Sequence, residues 1–391
     1  MNPDRADSDP QQQGEPGVRK HRGPGFYLML ALAFGNAHGS LAAEPATETE
    51  PENVAESEVG KPPVRIYRSP EERREAGLGT WVTDWLRVSG LLELEKEYQK
   101  DYYSGDADIT ESPRPSQAVQ IGLELRLLDW LEGEVVLEAE HDKRYHARAD
   151  EILLSAELDP WGIKLGRQYL PFGEYFSHFV TGPLLEFGET RATSVIVDYA
   201  VNDHIELIGY VFDGELKEAG GGRNTDWGIS AEIVSDDESK IFGIGYLSDM
   251  AESEEPLLED VERYYEHQVS GWNAYMLLGF DSFEVTGELV RANRSFTELD
   301  SHADRPYAWN LEVAWFPADT LQLAMRYEGS RELAEAPEKR YGVALSWAPG
   351  KHLVFSVDYL YGRYASVPTD DEEDAAPEQS HTIGAQISME F

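Results

Sequence analysis

Residues 379–391, QSHTIGAQISMEF, decide how the rest of the chain is interpreted. Apolar side chains occupy every second position from Ile383 to Phe391, and small or polar side chains lie between them. Successive side chains of a β-strand point to opposite faces of the sheet, so this period of two predicts a strand with one apolar and one polar face. The stretch closes on an aromatic residue, Phe391.

The same alternation repeats upstream, beginning at Trp85. It is clear in LRVSGLLELE (86–95), VQIGLELRL (119–127), WNLEVAW (309–315) and LVFSVDY (353–359). We count about sixteen such segments, and an even number is what a single-chain bacterial outer-membrane barrel requires.

The connections between these segments alternate between short turns and long loops. The short ones are turn-like, namely DWLEG (129–133), LDPWG (158–162), VNDH (201–204), SDDES (235–239), GFDS (279–282), FPAD (316–319) and APGK (348–351). The long ones include DYYSGDADITESPRPS (101–116), LPFGEYFSHFVTGPLLEFGET (170–190), AESEEPLLEDVERYYE (251–266) and ASVPTDDEEDAAPEQS (365–380). In a transmembrane barrel with a periplasmic N-terminus, the short turns face the periplasm and the long loops lie outside.

Aromatic residues cluster by strand end. Tryptophans accompany the predicted periplasmic turns or the barrel start, at Trp85, Trp130, Trp161, Trp315 and Trp347. Tyrosines lie near the opposite ends, at Tyr98, Tyr145, Tyr307, Tyr341 and Tyr361. Amphipathic rings favour the headgroup level of a membrane, so the pattern predicts two aromatic belts around an apolar band.

These patterns together predict an all-β fold, a transmembrane antiparallel up-and-down barrel of about 16 strands over residues 85–391. The alternating last strand that ends on Phe391 resembles the assembly signal of bacterial outer-membrane β-barrels. We therefore expect the chain to lie in the outer membrane and to contact the barrel-assembly machinery, lipid and lipopolysaccharide.

The N-terminal part predicts export. Residues 1–43 combine a basic cluster, a short apolar run and small residues, so we expect a signal peptide cleaved near Ala42 or Ala43. Residues 44–84 are predicted to be a periplasmic linker that is acidic and disordered at first, with a short helix over 69–79 near the barrel mouth. Gly77 and Gly79 are predicted to end that helix.

Composition excludes several functions. The 391 residues include no Cys, 33 Lys+Arg and 74 Asp+Glu, which gives a formal net charge of -41. Nucleic-acid binding requires a basic surface, so this charge disfavours it. Without Cys, thiolate metal sites and Cys nucleophiles are excluded. No catalytic motif is present, so we expect no enzyme activity, no cofactor and no metal site. The acidic run 370–374 predicts either a solvated loop or a site for divalent cations that bridge lipopolysaccharide.

Alternation assigns one set of side chains to the lumen of the barrel. The pore-lining candidates are Glu93, Glu95, Glu124, Arg126, Glu138, Glu140, Glu284, Glu288, Glu312 and Arg326, with further acids at Glu97, Glu328 and Asp358. Acids outnumber bases, so one hypothesis is an electronegative lumen that favours cations or cationic and metal-bearing solutes. The alternative is that these acids solvate a water-filled wall and are offset by bases elsewhere.

The loop at residues 170–190 is the predicted constriction. It is too apolar to extend freely into water, and folding it into the barrel would narrow the bore. The constriction candidates are Phe172, Glu174, Phe176, His178, Glu186 and Glu189. The alternative is packing against neighbouring loops or against a partner in a homotrimer.

Three stretches are similar to the LbtU family of siderophore porins. They are WLRVSGLLELE (85–95), LGRQYLPFGE (165–174) and GPLLEFGETR (182–191). The resemblance implies an outer-membrane barrel that admits iron–siderophore complexes without a plug domain. Many members also carry an N-terminal coiled coil, for which only the segment 69–79 could substitute here.

Three functional hypotheses follow. The first is a porin for siderophore or metal-chelate uptake through an acidic lumen, which the resemblance implies. The second is a general, cation-preferring diffusion porin. The third is a structural or adhesive outer-membrane barrel whose function lies in its acidic loops.

Overall fold

A computed structural model describes residues 73, 76–103, 108–111, 115–141, 145–214, 217–218, 226–251, 253, 257, 264–299, 303–365 and 377–391 of the protein. The predicted signal peptide (1–43) with its cleavage site, most of the segment 44–79 and the acidic run 370–374 lie outside these residues. Among the described residues, no helix has the length and apolar character needed to cross a lipid bilayer.

The described chain contains twenty β-strands. Their bounds are β1 Thr80–Thr83, β2 Leu86–Tyr102, β3 Asp108–Glu111, β4 Ser116–Leu128, β5 Leu131–His141, β6 Tyr145–Leu158, β7 Trp161–Tyr169, β8 Arg191–Asn202, β9 Ile205–Asp213, β10 Lys217–Glu218, β11 Asp226–Val234, β12 Lys240–Leu247, β13 Tyr264–Tyr265, β14 Gly271–Phe280, β15 Phe283–Ala292, β16 Tyr307–Ala318, β17 Leu321–Arg331, β18 Lys339–Gly350, β19 Leu353–Arg363 and β20 Gln379–Glu390. A short 3₁₀ helix spans Glu186–Gly188.

Sixteen of these strands form one closed antiparallel barrel. Each long strand pairs with the next one along the chain, from β2 through β4 and onward to β20, and β20 pairs with β2 to close the ring. The remaining strands are short: β1 and β3 pair with β2, and β10 pairs with β13. The predicted fold class is therefore confirmed, whereas β1 is a strand inside the predicted linker.

The two faces of the barrel wall have inverted polarity compared with a water-soluble protein. On β20, Ile387 is 40% exposed on the outside, whereas Glu390 is 3% exposed on the inside. The outer face carries many exposed Leu, Ile, Val and aromatic side chains, including all five tryptophans of the predicted belt (Trp85, Trp130, Trp161, Trp315 and Trp347). An apolar outer band with aromatic rings at its edge is the surface that a barrel presents to lipid.

The predicted short turns are confirmed. β4 and β5 are separated only by residues 129–130, β6 and β7 by 159–160, and β18 and β19 by 351–352. The strand ends that flank the long connections lie at the opposite end of the barrel. We call the end with the tight turns the short-turn rim.

The barrel closes where the two ends of the sheet meet. The backbone N–H and C=O of Gly90 and Phe391 exchange two hydrogen bonds, of 3.0 and 3.1 Å. The Phe391 ring lies over Gly90, and a Cβ atom at position 90 would lie 2.2 Å from that ring. Glycine at this position therefore leaves the space that the C-terminal ring occupies.

Candidate functional site inside the barrel

Residues 170–190, which join β7 to β8 at the long-loop end, lie inside the barrel. We call them the infolded segment. Its apolar side packs against inward-facing apolar side chains of neighbouring strands, with Phe172, Tyr175, Leu185 and Phe187 in one buried cluster. The strand residues of that cluster include Ile196, Ile208, Tyr210, Phe212, Leu247 and Val290. This part of the barrel interior is a hydrophobic core, which the predicted set of lumen residues does not include.

The polar side of the infolded segment is bound by carboxylates of the wall. Glu288 of β15 accepts hydrogen bonds from the backbone N–H groups of Glu174 (3.0 Å) and Tyr175 (2.7 Å). Tyr175 has a left-handed backbone with φ of 49°, a conformation that costs free energy in a residue with a side chain. One carboxylate that binds two successive N–H groups offsets that cost and fixes the turn.

His178 is the most highly connected residue of the segment. Its backbone N–H donates to Glu312 Oε2 at 2.7 Å, and its Nδ1 lies 2.9 Å from the same oxygen. On the other side of the ring, Nε2 lies 3.1 Å from Glu284 Oε1. The ring of His178 therefore lies between two carboxylates of the wall, one on β15 and one on β16.

Arg326 of β17 supplies a buried positive charge. Its Nε lies 2.8 Å from Glu312 Oε1, and its Nη1 donates to the carbonyl oxygens of Thr181 and Gly182, both at 2.9 Å. The guanidinium group also lies over the Phe179 ring, 4.2 Å from its centroid. Because a guanidinium group presents several donors in a fixed plane, it can hold two strands and a loop together.

Two further carboxylates complete the attachment. Asp358 Oδ2 of β19 accepts from Thr181 N at 2.7 Å, and Glu328 Oε2 of β17 accepts from Leu184 N at 2.8 Å. Strands β15, β16, β17 and β19 each contribute a carboxylate to the segment, and we call the inner face of β15–β19 the anchoring wall. Its acids are engaged in binding the chain itself.

The neighbouring part of the inner face, which continues from β19 to β20 and β2, has the same polarity and different partners. We call the inward-facing side chains of β2, β4, β5 and β20 the acidic wall. Glu93, Glu95 and Glu97 occupy alternate positions of β2, about 6.6 Å apart along the strand, and each is buried. Glu93 interacts electrostatically with Glu138 of β5, a charge of the same sign.

Several polar atoms of the acidic wall lack partners. Glu93 Oε1, Glu95 Oε1 and both amide atoms of Gln120 make no hydrogen bond to any described residue. Glu138, in contrast, accepts from Arg148 at 2.9–3.0 Å. Buried polar groups without protein partners are expensive unless another polar group reaches them.

The other predicted pore-lining residues have distinct places. Arg126 is half-exposed at the short-turn rim, where it lies 4.0 Å from Glu132, outside the lumen proper. Glu124 forms an ion pair with the buried Arg87. Glu140 lies on the inner face of β5, partly exposed.

The predicted constriction residues all lie on the infolded segment, but they do different things. Phe172 is buried in the apolar cluster. Glu189 is buried beside the small cavity that Tyr175 also lines. Phe176 packs edge-on against His178, with ring centroids 4.8 Å apart. The side chains of Glu174 and Glu186 are partly exposed.

Three residues contribute to the site although they are not among the predicted site residues, namely Gln120, Thr181 and Arg340. Arg340 donates to the carbonyl of Gly182 and to Glu328. Gln120 is a polar residue on the inward parity of β4, so alternation could have found it. The role of Thr181 depends on a contact with Asp358, 177 positions away, and local sequence carries no signal for it.

Within the described residues, no three His, Cys, Asp or Glu side chains are arranged to hold a metal ion. What the arrangement can do chemically is bind the infolded segment on one wall and attract positive charge on the other.

Comparison with known sequences identifies one distant relative. No family model matches the chain. A protein of Coxiella burnetii (strain RSA 493 / Nine Mile phase I) called UPF0422 protein is 26% identical over 270 residues, which cover 63% of this chain and 56% of that protein. The match thus spans little more than half of the relative's length.

Comparison with solved structures identifies the fold. The outer membrane channel DcaP of Acinetobacter baumannii superposes with a TM-score of 0.52 at 13% identity, covering 80% of this chain and 100% of that one. OmpF of Salmonella typhi, in complex with daunomycin, gives 0.54 at 11% identity, with coverages of 80% and 100%. An anion-selective porin from Comamonas acidovorans gives 0.56 at 10% identity, with coverages of 78% and 99%. The chain therefore has the sixteen-stranded barrel fold of bacterial porins.

Proposed function

We propose that the protein is an outer-membrane channel in which solutes pass along the acidic wall, with a preference for cations. One observation carries the proposal: the infolded segment occupies the anchoring wall and engages its acids, whereas Glu93 and Glu95 keep atoms without partners. Negative charges that line a path raise the local concentration of cations and lower that of anions.

The proposal includes the location and the partners of the protein. An exported chain with this fold inserts into the outer membrane of a Gram-negative bacterium through the barrel-assembly machinery, which would bind the β20 strand and Phe391. The signal peptide at residues 1–43 would be removed near Ala42 or Ala43. Lipid and lipopolysaccharide would contact the apolar outer band, and a homotrimer is the proposed assembly.

Bilayer recording tests the channel. The purified full chain is inserted into a planar lipid bilayer, and the current is measured with potassium chloride on both sides. Stable conductance steps with cation selectivity support the proposal. A correctly folded, heat-modifiable barrel that produces no steps would instead favour a structural or adhesive barrel.

A second candidate is uptake of siderophores or metal chelates. It is supported by the similarity to LbtU-type porins, because two of the three similar stretches, 165–174 and 182–191, form the two ends of the infolded segment. The similarity therefore concerns the part of the chain that shapes the bore. Addition of a ferric siderophore that interrupts the conductance steps, where the iron-free siderophore does not, would favour this candidate over a general porin.

A further inference from the structure

The chain enters the barrel at the short-turn rim before its first strand. Leu78 is 2% exposed, and its backbone N–H donates to the carbonyl of Arg73 at 2.8 Å. Gly77 between them has a φ of 67°. This is the arrangement with which a helix ends at a glycine, and it turns the chain into the barrel.

Three basic side chains hold this entry in place. The buried Arg87 guanidinium donates to the carbonyl of Leu78 and also pairs with Glu124. Lys351, in the turn between β18 and β19, donates to the carbonyl of Gly77 at 3.4 Å. The entry is thus attached to the barrel from two sides.

The third base is Arg73 itself. Its side chain is 2% exposed, and its Nε lies 3.5 Å from Glu390 Oε1 at the end of β20. Arg73 also interacts electrostatically with Glu93, the first acid of the ladder on β2. A guanidinium group of the chain therefore lies at the short-turn end of the acidic wall.

We propose that Glu390 and Glu93 form a guanidinium-binding site, that Arg73 occupies it as a tethered plug, and that a permeating solute with a guanidinium or ammonium group displaces Arg73. Two observations independent of Arg73 mark the site: Glu93 is 4% exposed with one oxygen unpartnered, and both amide atoms of the adjacent Gln120 are unpartnered. The inference rests on the proposed cation channel and adds an autoinhibitory contact to it.

The tethered guanidinium group of Arg73 and a free cation would compete for the same site. A buried carboxylate pair without a counter-charge is costly, so a bound cation stabilises the charged form of the site. A tethered guanidinium group fills it at a high effective concentration, and a free cation with the same geometry competes for it. Solutes without such a group leave the plug in place.

The first test is the conductance of Arg73→Gln, with Lys240→Gln as the control. Lys240 lies on the same rim, away from the Gly90–Phe391 closure, and its substitution removes the same charge. We expect Arg73→Gln to raise the conductance several-fold and Lys240→Gln to leave it unchanged. Equal conductance and equal cation selectivity in all three proteins would overturn the plug and leave the channel standing. If none of the three conducts, both ideas are wrong.

The second test does not depend on conduction. The natural chain has no Cys, so Leu78→Cys introduces a single thiol at the plug, and Val82→Cys on the exposed β1 provides the control. We expect a water-soluble thiol reagent to label Cys at position 78 several-fold faster in guanidinium chloride than in potassium chloride at equal, non-denaturing concentration. The control should be labelled at one rate in both salts. Equal rates at position 78 would contradict the proposal.

Discussion

The anchoring wall and the acidic wall both carry inward-facing carboxylates, but these carboxylates have different partners. Glu312 of the anchoring wall contacts His178, Asn310 and Arg326, and its charge is fully compensated. Glu93 of the acidic wall interacts electrostatically with one positive side chain, Arg73, and with two acids, Glu390 and Glu138. A count of acids in the lumen therefore overestimates the negative charge that a solute would meet, because the acids of the anchoring wall are already compensated.

The largest expected effect comes from releasing the anchoring wall. Substitution Glu312→Gln leaves Arg326 and His178 without their shared carboxylate. Breaking a buried ion pair costs about 3–5 kcal/mol, so the infolded segment should detach and the conductance should rise several-fold. Single-channel recording checks this. Glu332→Gln, in an exposed turn, should behave as the unmodified protein, and an unchanged conductance in Glu312→Gln would show that the segment does not depend on this contact.

The next effect concerns ion selectivity. Replacing Glu93 and Glu95 with Gln together should lower the cation-to-anion permeability ratio roughly fivefold, the size of about 1 kcal/mol of lost attraction along a partly hydrated path. The double substitution leaves the contacts of the infolded segment intact, so that segment stays bound. The control is the pair Glu132→Gln and Glu238→Gln on the rim. A ratio that falls equally in both double variants would mean that total charge, and not the acidic wall, sets selectivity.

A smaller effect is expected at the closure of the barrel. Gly90→Ala places a methyl group against the Phe391 ring, and overpacking of this kind costs about 1–3 kcal/mol. Urea unfolding and the heat-modifiable gel band measure the loss. Gly209→Ala is the matched control, since a Cβ atom there has nothing within 4 Å. Equal stability of the two variants would refute the role of Gly90.

The smallest effect is expected at the rim. The ion pair between Arg126 and Glu132 is exposed on both sides, and such pairs contribute about 0–1 kcal/mol. Arg126→Gln should therefore change neither stability nor selectivity measurably. A shift in reversal potential as large as that of the Glu93 and Glu95 double variant would show that Arg126 is a pore-lining residue.

The fold was predictable from the sequence because the relevant signal is local. Each strand alternates within its own ten or so residues, and each short turn contains its own Gly, Pro, Asn or Asp. The placement of β20 and of the turn at 129–130 follows directly from such patterns. The same alternation predicted which side chains face the interior, since each side chain of a strand lies on one of only two faces.

The division of the inner face into two walls was not predictable in this way. Glu93 lies between Leu92 and Leu94, and Glu312 lies between Leu311 and Val313, so their local patterns are the same. What separates them is a contact between Glu312 and His178, 134 positions apart. Such a contact depends on the path of the infolded segment through the barrel.

The hydrophobic part of the interior is indicated by the amino-acid sequence of β9. The stretch IELIGYVFD, β9, carries exposed Leu207 and Val211 outside and buried Ile208, Tyr210 and Phe212 inside. A strand that is apolar on both faces packs on both faces. The apolar inner face of β9 therefore indicates from sequence alone that another apolar part of the chain, the infolded segment, packs against it.

The most direct test of the account is the reversal potential of the unmodified channel in a potassium chloride gradient. Passage along the acidic wall predicts a reversal potential with the sign of a cation-selective pore, which declines as salt screens the carboxylates. A reversal potential of zero, or one with the sign of an anion-selective pore, would contradict the account.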